Sequence, residues 1–119
     1  MKTEVVEFPK IDEEVTYYIG TSAKDNFAVI DEGDDDDIWF HASEHSSCHV
    51  VLKMPQTYIS KKQLFTIIKR GAQICKQNTN RMKNKSNIEI TYCKVSQLKI
   101  DETRIGTVHI QGNHRNLSV

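Results

Sequence analysis

The residues best able to do chemistry crowd into positions 34–51, "DDDDIWFHASEHSSCHVV". His41, His45 and His49 fall four apart, with Cys48 and four aspartates beside them. On a helix, histidines at i and i+4 share a face and can chelate zinc. The flanking residue types argue for strands instead. "IWF" and "HVVL" are β-branched and aromatic, while "SEHSSC" between them is turn-rich and a poor helix interior. In two strands, Trp39 and His41 share one face and Ile38 and Phe40 take the other. Val50 and Leu52 then alternate with His49 and Val51, and His45 is left in the connecting loop. The even spacing becomes a coincidence, and no metal ligands or cofactor are expected.

No catalytic set is expected either. The chain has no G-x-S-x-G elbow, no P-loop and no G-x-G-x-x-G turn. Cys48 and His49 are neighbours, and neighbours on a strand point to opposite faces, so they cannot pair as nucleophile and base. What the stretch does suit is binding. An indole beside an imidazole on a strand surface is a stacking platform for a nucleobase.

The elements that must position this platform can be read from periodicity. "VTYYIG" (15–20) alternates Val15, Tyr17 and Ile19 against Thr16 and Tyr18, predicting a strand that ends at Gly20. "NFAVI" (26–30) reads as its partner strand or a short apolar segment. "DEGDDDD" (31–37) is too charged for a core and reads as a solvated loop; it lacks the residue order of an EF-hand. Residues 60–78 give the one main amphipathic helix. Ser60 and Gln63 form a capping box, and Leu64, Ile67, Ile68, Gly71, Ala72 and Cys75 form one apolar stripe. Lys62, Lys69 and Lys76, seven apart, face away from that stripe. A basic loop with Arg81, Lys83 and Lys85 follows, then a strand over 87–95. Residues 104–119 read as a terminal hairpin turning at Gly112-Asn113. The expected fold is α+β: a single domain with a largely antiparallel sheet packed on the 60–78 helix.

Composition bounds the class. With 119 residues, 38% hydrophobic and 27% charged, the chain has the makeup of one ordinary globular domain. No apolar run is long enough to span a bilayer, and "MKTEVVEFPKIDEEV" has no signal-peptide core. Three widely spaced cysteines without a C-x-x-C pair point to reduced thiols in the cytoplasm or nucleus. The formal net charge of +0 conceals an asymmetry. Residues 1–37 hold three basic and twelve acidic side chains, net −9, and residues 38–119 hold thirteen and four, net +9. Such a chain either neutralises itself in the fold or presents a basic surface to a polyanion.

The motifs also carry a resemblance. "YIGTSAKDN", "DIWFHASEHSSCHVVL" and "IGTVHIQGNHRNLSV" together resemble the NFACT-R domain, the RNA-binding module of ribosome-associated quality-control factors. Asp37, Trp39, Phe40 and His41 match the first half of its motif, D-x-W-F-H. His49 and Val50 match the second half, in which Ser47 stands at a glycine position and Cys48 at a serine position. That departure is similar to the stand-alone coiled-coil domain-containing protein 25-like subgroup. The resemblance covers about residues 15–119, leaving 1–14 as an acidic N-terminal segment. It implies a non-enzymatic module that binds RNA (tRNA or the large ribosomal subunit), with ribosomal or quality-control proteins as further partners. The additional domains that drive tail synthesis on stalled peptides are not among these residues, so that activity is not expected. Asp37, Trp39, Phe40, His41 and His49 are then the motif site. Lys62, Lys69, Lys76, Arg81, Lys83 and Lys85 are the phosphate contacts, assigned from their placement. Two readings from other classes are a protein–protein adaptor using the acidic 31–37 loop and, weaker, a metal-dependent enzyme.

Overall fold

The computed structural model describes every residue except Gly106. The chain opens with an antiparallel pair, β1 (Lys2–Phe8) and β2 (Glu13–Gly20), joined by a short 3-10 turn at Pro9–Ile11. Residues Lys2–Phe8 of the acidic N-terminal segment thus form the first strand of the sheet. β1 lies in register along β2, Val6 opposite Val15, and Val6 and Phe8 pack onto the core.

The apolar run expected as a partner strand at 26–30 is instead helical, α1 (Ala23–Asp31). Its start is written in the S-x-x-D at Ser22–Asp25, where the Ser22 hydroxyl accepts a hydrogen bond from the Asp25 amide at 3.2 Å. Val29 and Ile30 bury its inner side. The motif strands follow as β3 (Ile38–Ala42) and β4 (His49–Leu52), an antiparallel pair. Next comes α2 (Lys61–Gln77), with the full capping box: Gln63 N–H donates to Ser60 Oγ at 3.2 Å, and Ser60 N–H to Gln63 Oε1 at 2.9 Å.

β5 (Glu89–Lys94) returns beside β3. The expected terminal hairpin does not form. β6 (Leu98–Ile100) pairs with β7 (Val108–Ile110) in a separate two-stranded ribbon, and β8 (Arg115–Ser118) crosses back to pair with β5. Gly112 does take the positive φ expected at the turn, 113°, but it connects two sheets rather than two strands of one. Gly106, inside the same stretch, lies outside the described residues.

The main sheet runs β1-β2-β4-β3-β5-β8, antiparallel throughout, so the fold is α+β as expected. Strand alternation divides its side chains between two layers. Val15, Tyr17, Ile19, Ile38, Phe40, Val50, Leu52 and Ile90 face α2, which closes on them with Ile67, Ile68, Ala72 and Cys75. Trp39, Val51 and Cys93 face the other way, covered by Val29 and Ile30 of α1 and by the β6–β7 ribbon. No helix among the described residues is long and apolar enough to cross a membrane.

Candidate nucleic-acid interface

Asp37 sits at the entrance of β3 and is buried, at 4% exposure. Its Oδ2 accepts from Lys53 Nζ at 2.6 Å and from the Asp34 amide at 2.8 Å, and its Oδ1 accepts from the Met54 amide at 2.9 Å. Its carbonyl accepts from Val95 N–H at 2.9 Å. Burial works against the Lys53 ammonium, yet its bonds to Asp37 and Asp34 outweigh that and hold its pKa above the ordinary lysine value. Asp37 is thus the clasp that ties the acidic loop to the ends of β4 and β5. Asp34, Asp35 and Asp36 stay exposed, as expected of a solvated loop.

Phe40 has no exposed surface; its ring fills the α2 layer against Gly71. Of the motif residues, Asp37 and Phe40 build the fold and present no face to a ligand.

Trp39, His41 and His49 meet on the opposite face. The Trp39 and His41 rings are parallel to within 3° with centroids 5.7 Å apart, and the His49 ring stands edge-on to both. Trp39 is buried, not a surface platform; the half-buried His41 ring carries what exposure the trio has. Trp39 Nε1–H donates to His49 Nδ1 at 3.1 Å, so the neutral His49 carries its proton on Nε2. His41 Nδ1 lies 2.7 Å from the Ala42 carbonyl, which can only accept, so its Nε2 is bare. His45 stands apart in the exposed loop. Together with Asn26, Ser46, Ser47, Thr107 and Val108, the trio lines a 280 Å³ cavity.

Burial, reinforced by the neighbouring His41, pushes the His49 pKa down to about 3, and burial lowers His41 as well. Both imidazoles are therefore neutral at pH 7. The sign of the pH dependence follows. The unfolded chain takes up these protons near pH 6.5, before the folded one does, so their contribution to stability is complete above about pH 6.5. It is lost as pH falls toward 3, at about 1.4 kcal/mol per pH unit for each whole proton of difference. Urea unfolding from pH 7.5 to 4 should show this slope, and His49→Gln, whose side chain can still accept from Trp39, should flatten it.

The loop between β3 and β4 is closed by Ser47. Ser47 Oγ accepts from Ala42 N–H at 2.9 Å and donates to the Cys48 carbonyl at 2.9 Å. Cys48 turns into the α2 layer, where its thiol meets that of Cys75 at 3.9 Å, and its amide donates to Thr79 Oγ1 at 3.1 Å. The start of β4 is in this way fastened to the end of α2. Cys48 and His49 do point to opposite faces.

The cations gather on the α2 side and beyond its end. Lys69, Arg70 and Lys76 line a 560 Å³ groove between α2, Glu4 and the last two residues, Ser118 and Val119. Lys76 is half-buried and its Nζ donates to the Val119 carbonyl at 3.2 Å. Lys62 lies exposed near the start of α2, away from this groove, and Arg81, Lys83 and Lys85 are exposed on the turn after it. None of these six forms an ion pair among the described residues, whereas the acidic run is met by Lys53 and Lys94. The halves of the chain cancel only in part: Lys53, Lys94 and, in the α2 groove, Arg70 (3.9 Å from Glu4) pair with carboxylates of residues 1–37. The acidic loop lies before β3, and the basic turn lies beyond the opposite end of that strand, where Cys48 meets Thr79.

The motif histidines and the lysine row therefore occupy opposite faces of the sheet and meet only around its end. Sequence reasoning missed Arg70, whose exposure depends on how α2 rolls on the sheet, and Lys53, the partner of Asp37. It also missed Asn26, Thr107 and Val108. The Ser22–Asp25 cap could have placed Asn26 on a helix; no local signal brings the 107–108 segment over the histidines.

Residues 5–112 match the family described as NFACT protein RNA binding domain. Two curated relatives are similar over most of the chain. The coiled-coil domain-containing protein 25 homolog of Dictyostelium discoideum is 30% identical over 95 residues, 80% of this chain and 46% of that protein. Coiled-coil domain-containing protein 25 of Danio rerio is 35% identical over 88 residues, 71% of this chain and 41% of that protein. The chain thus spans less than half the length of these relatives. Among solved structures, the C-terminal part of the fibronectin/fibrinogen-binding protein from Streptococcus suis shares the fold, with a TM-score of 0.75 at 15% identity, covering 88% of this chain and 41% of that one. The chain belongs to the NFACT RNA-binding domain family, a family of nucleic-acid-binding modules, with coiled-coil domain-containing protein 25 among its relatives.

Proposed function

We propose that this domain binds RNA non-enzymatically through the cations of α2 and the 81–85 turn, in ribosome-associated quality control, with tRNA or the large ribosomal subunit as the partner. The observation that carries the reading is the absence of ion pairs, among the described residues, at Lys62, Lys69, Lys76, Arg81, Lys83 and Lys85, while the acidic run is held elsewhere. Unpaired cations on one side of a domain release counterions when they meet phosphates, which gives affinity with little sequence preference. The reading places the protein in the cytoplasm, with the nucleus as the second compartment.

The test is the double variant Lys69→Glu, Lys76→Glu. Its affinity for RNA should fall about ten-fold or more near 0.1 M salt, and the slope of log affinity against log salt should shrink by about two. Circular dichroism checks that reversing Lys76 leaves the fold intact. Unchanged RNA retention in a folded double variant removes the α2 face from the reading.

A second reading has its own observation. Asp34, Asp35 and Asp36 are exposed along a 660 Å³ groove with Met54, Pro55 and Gln56, a surface suited to a basic segment of a ribosomal protein. This is the adaptor reading, and it uses the opposite end of the molecule.

A further inference from the structure

The cavity around His41 and His49 is not used by phosphate contacts, and its chemistry differs from theirs. We infer that it receives one unpaired nucleobase of a single-stranded RNA, which continues the Trp39–His41 stack and pairs its edge with His49. The inference rests on the RNA-binding reading above and adds to it the form of RNA that is read.

Three observations carry it. First, the cavity offers hydrogen bonds without charge. His49 is buried, with Nδ1 committed to Trp39, so its Nε2–H is a donor with no partner among the described residues. His41, with Nδ1 committed to Ala42, offers the face of an uncharged ring to stack on. A phosphate would need cations here; a base, a flat ring with acceptors along its edge, needs the stacking face of His41 and the donor of His49. Second, Asn26 adds a polar wall to the same cavity, with its Oδ1 turned inward against Gly20 and without a donor among the described residues. Third, the cavity is sized for one ring system. Its 280 Å³ falls just below the range of about 300–1,000 Å³ for sites that enclose a drug-sized ligand.

A path for the rest of the strand is present. A second, polar cavity of 470 Å³ shares Asn26, Ser46, Ser47 and Thr107 with the first and extends to Asn78 and Asn80. Arg81 follows directly, and Lys2 Nζ bonds the Asn78 side chain at 2.6 Å. A single strand leaving the histidine cavity thus runs along amide and hydroxyl groups toward the basic turn. A duplex keeps its bases paired and has none to insert.

Trp39 is the only tryptophan, so its emission reports on the cavity in the unaltered protein. A short fluorescein-labelled single-stranded RNA, and the same sequence as a blunt duplex, are titrated against wild type, His41→Ala and His41→Phe. The expected result has three parts. The single strand changes Trp39 emission and the duplex does not. His41→Ala loses five-fold or more for the single strand alone, and His41→Phe, which keeps a stacking ring, retains most of it. Single-strand binding with no change in Trp39 emission overturns the inference even if His41→Ala fails to fold. So does a folded His41→Ala that binds the single strand as wild type does. A free mononucleotide that quenches Trp39 as well as the oligomer at equal concentration also overturns it, because the cavity would then serve a loose ligand. If wild type binds neither RNA, the RNA-binding reading itself has failed.

Discussion

Replacing Asp37 by alanine should lower the unfolding free energy by about 3 kcal/mol, a loss on the order of 10 °C in Tm for a domain of this size. The carboxylate accepts three hydrogen bonds, from Lys53 and from the amides of Asp34 and Met54. Alanine leaves both amides without an acceptor and leaves Lys53 with the Glu32 carbonyl and with Asp34, which is solvent-exposed and holds it weakly. Lys53 is itself partly exposed and can turn to water, which keeps the loss at the lower end of the range for a broken buried pair. Asp37→Asn should fall between the two, since the amide keeps one acceptor but turns two donors toward its neighbours. The double variant Asp37→Ala, Lys53→Met should recover part of the loss by removing the stranded charge. Urea unfolding of wild type, Asp37→Ala, Lys53→Met and the double variant gives the coupling directly. A single variant within 0.5 kcal/mol of wild type would mean that the motif aspartate does not hold these segments together.

Gly71→Ala should also destabilise, by about 2 kcal/mol, although alanine is the better helix former by about 1 kcal/mol. A Cβ at Gly71 would stand 2.4 Å from Phe40 Cζ and 2.6 Å from its Cε1. The Phe40 ring is fully buried in the middle of the sheet and has nowhere to withdraw. The packing penalty therefore exceeds the propensity gain, and a larger residue such as leucine should cost more still. Phe40→Leu shortens the side chain at the point of conflict. In the Gly71→Ala background it should cost less than it does alone, a favourable coupling of about 1 kcal/mol in a double-mutant cycle. If thermal melts show Gly71→Ala more stable than wild type, the close approach of α2 to β3 is not as tight as described. The glycine that sequence periodicity counts as one more member of an apolar stripe is, on this account, the residue that sets how near the helix comes.

Both positions show why parts of the fold were legible and parts were not. Periods of two and of 3.6 are local properties, so β2, β3, β4 and α2 can be read from residue order, as can the Ser60–Gln63 cap. The same alternation places Trp39 with His41 and against Phe40, which disposes of the chelating helix. The run at 26–30 has no period long enough to choose a helix over a strand; a capping serine and burial against Val51 and Trp39 chose it. The last strands were misjoined because hairpin geometry is the local default. β8 instead finds an unpaired edge on β5, which lies some twenty residues back in the chain.

Charge and motif follow the same division. The sequence by itself determined that a net charge of −9 in residues 1–37 is set against +9 in the rest, and that its aromatic–histidine pattern is one of paired strands. Those are matters of composition and neighbour order. Only the tertiary structure decided that Asp37 and Phe40 are buried supports, and that the histidines and the lysine row lie on opposite faces. It also brought Asn26 and Thr107 to the histidine cavity. A side chain's role depends on what covers it, and here the covering elements, α1, α2 and the β6–β7 ribbon, are separated from the motif strands by loops that carry no record of where they fold back.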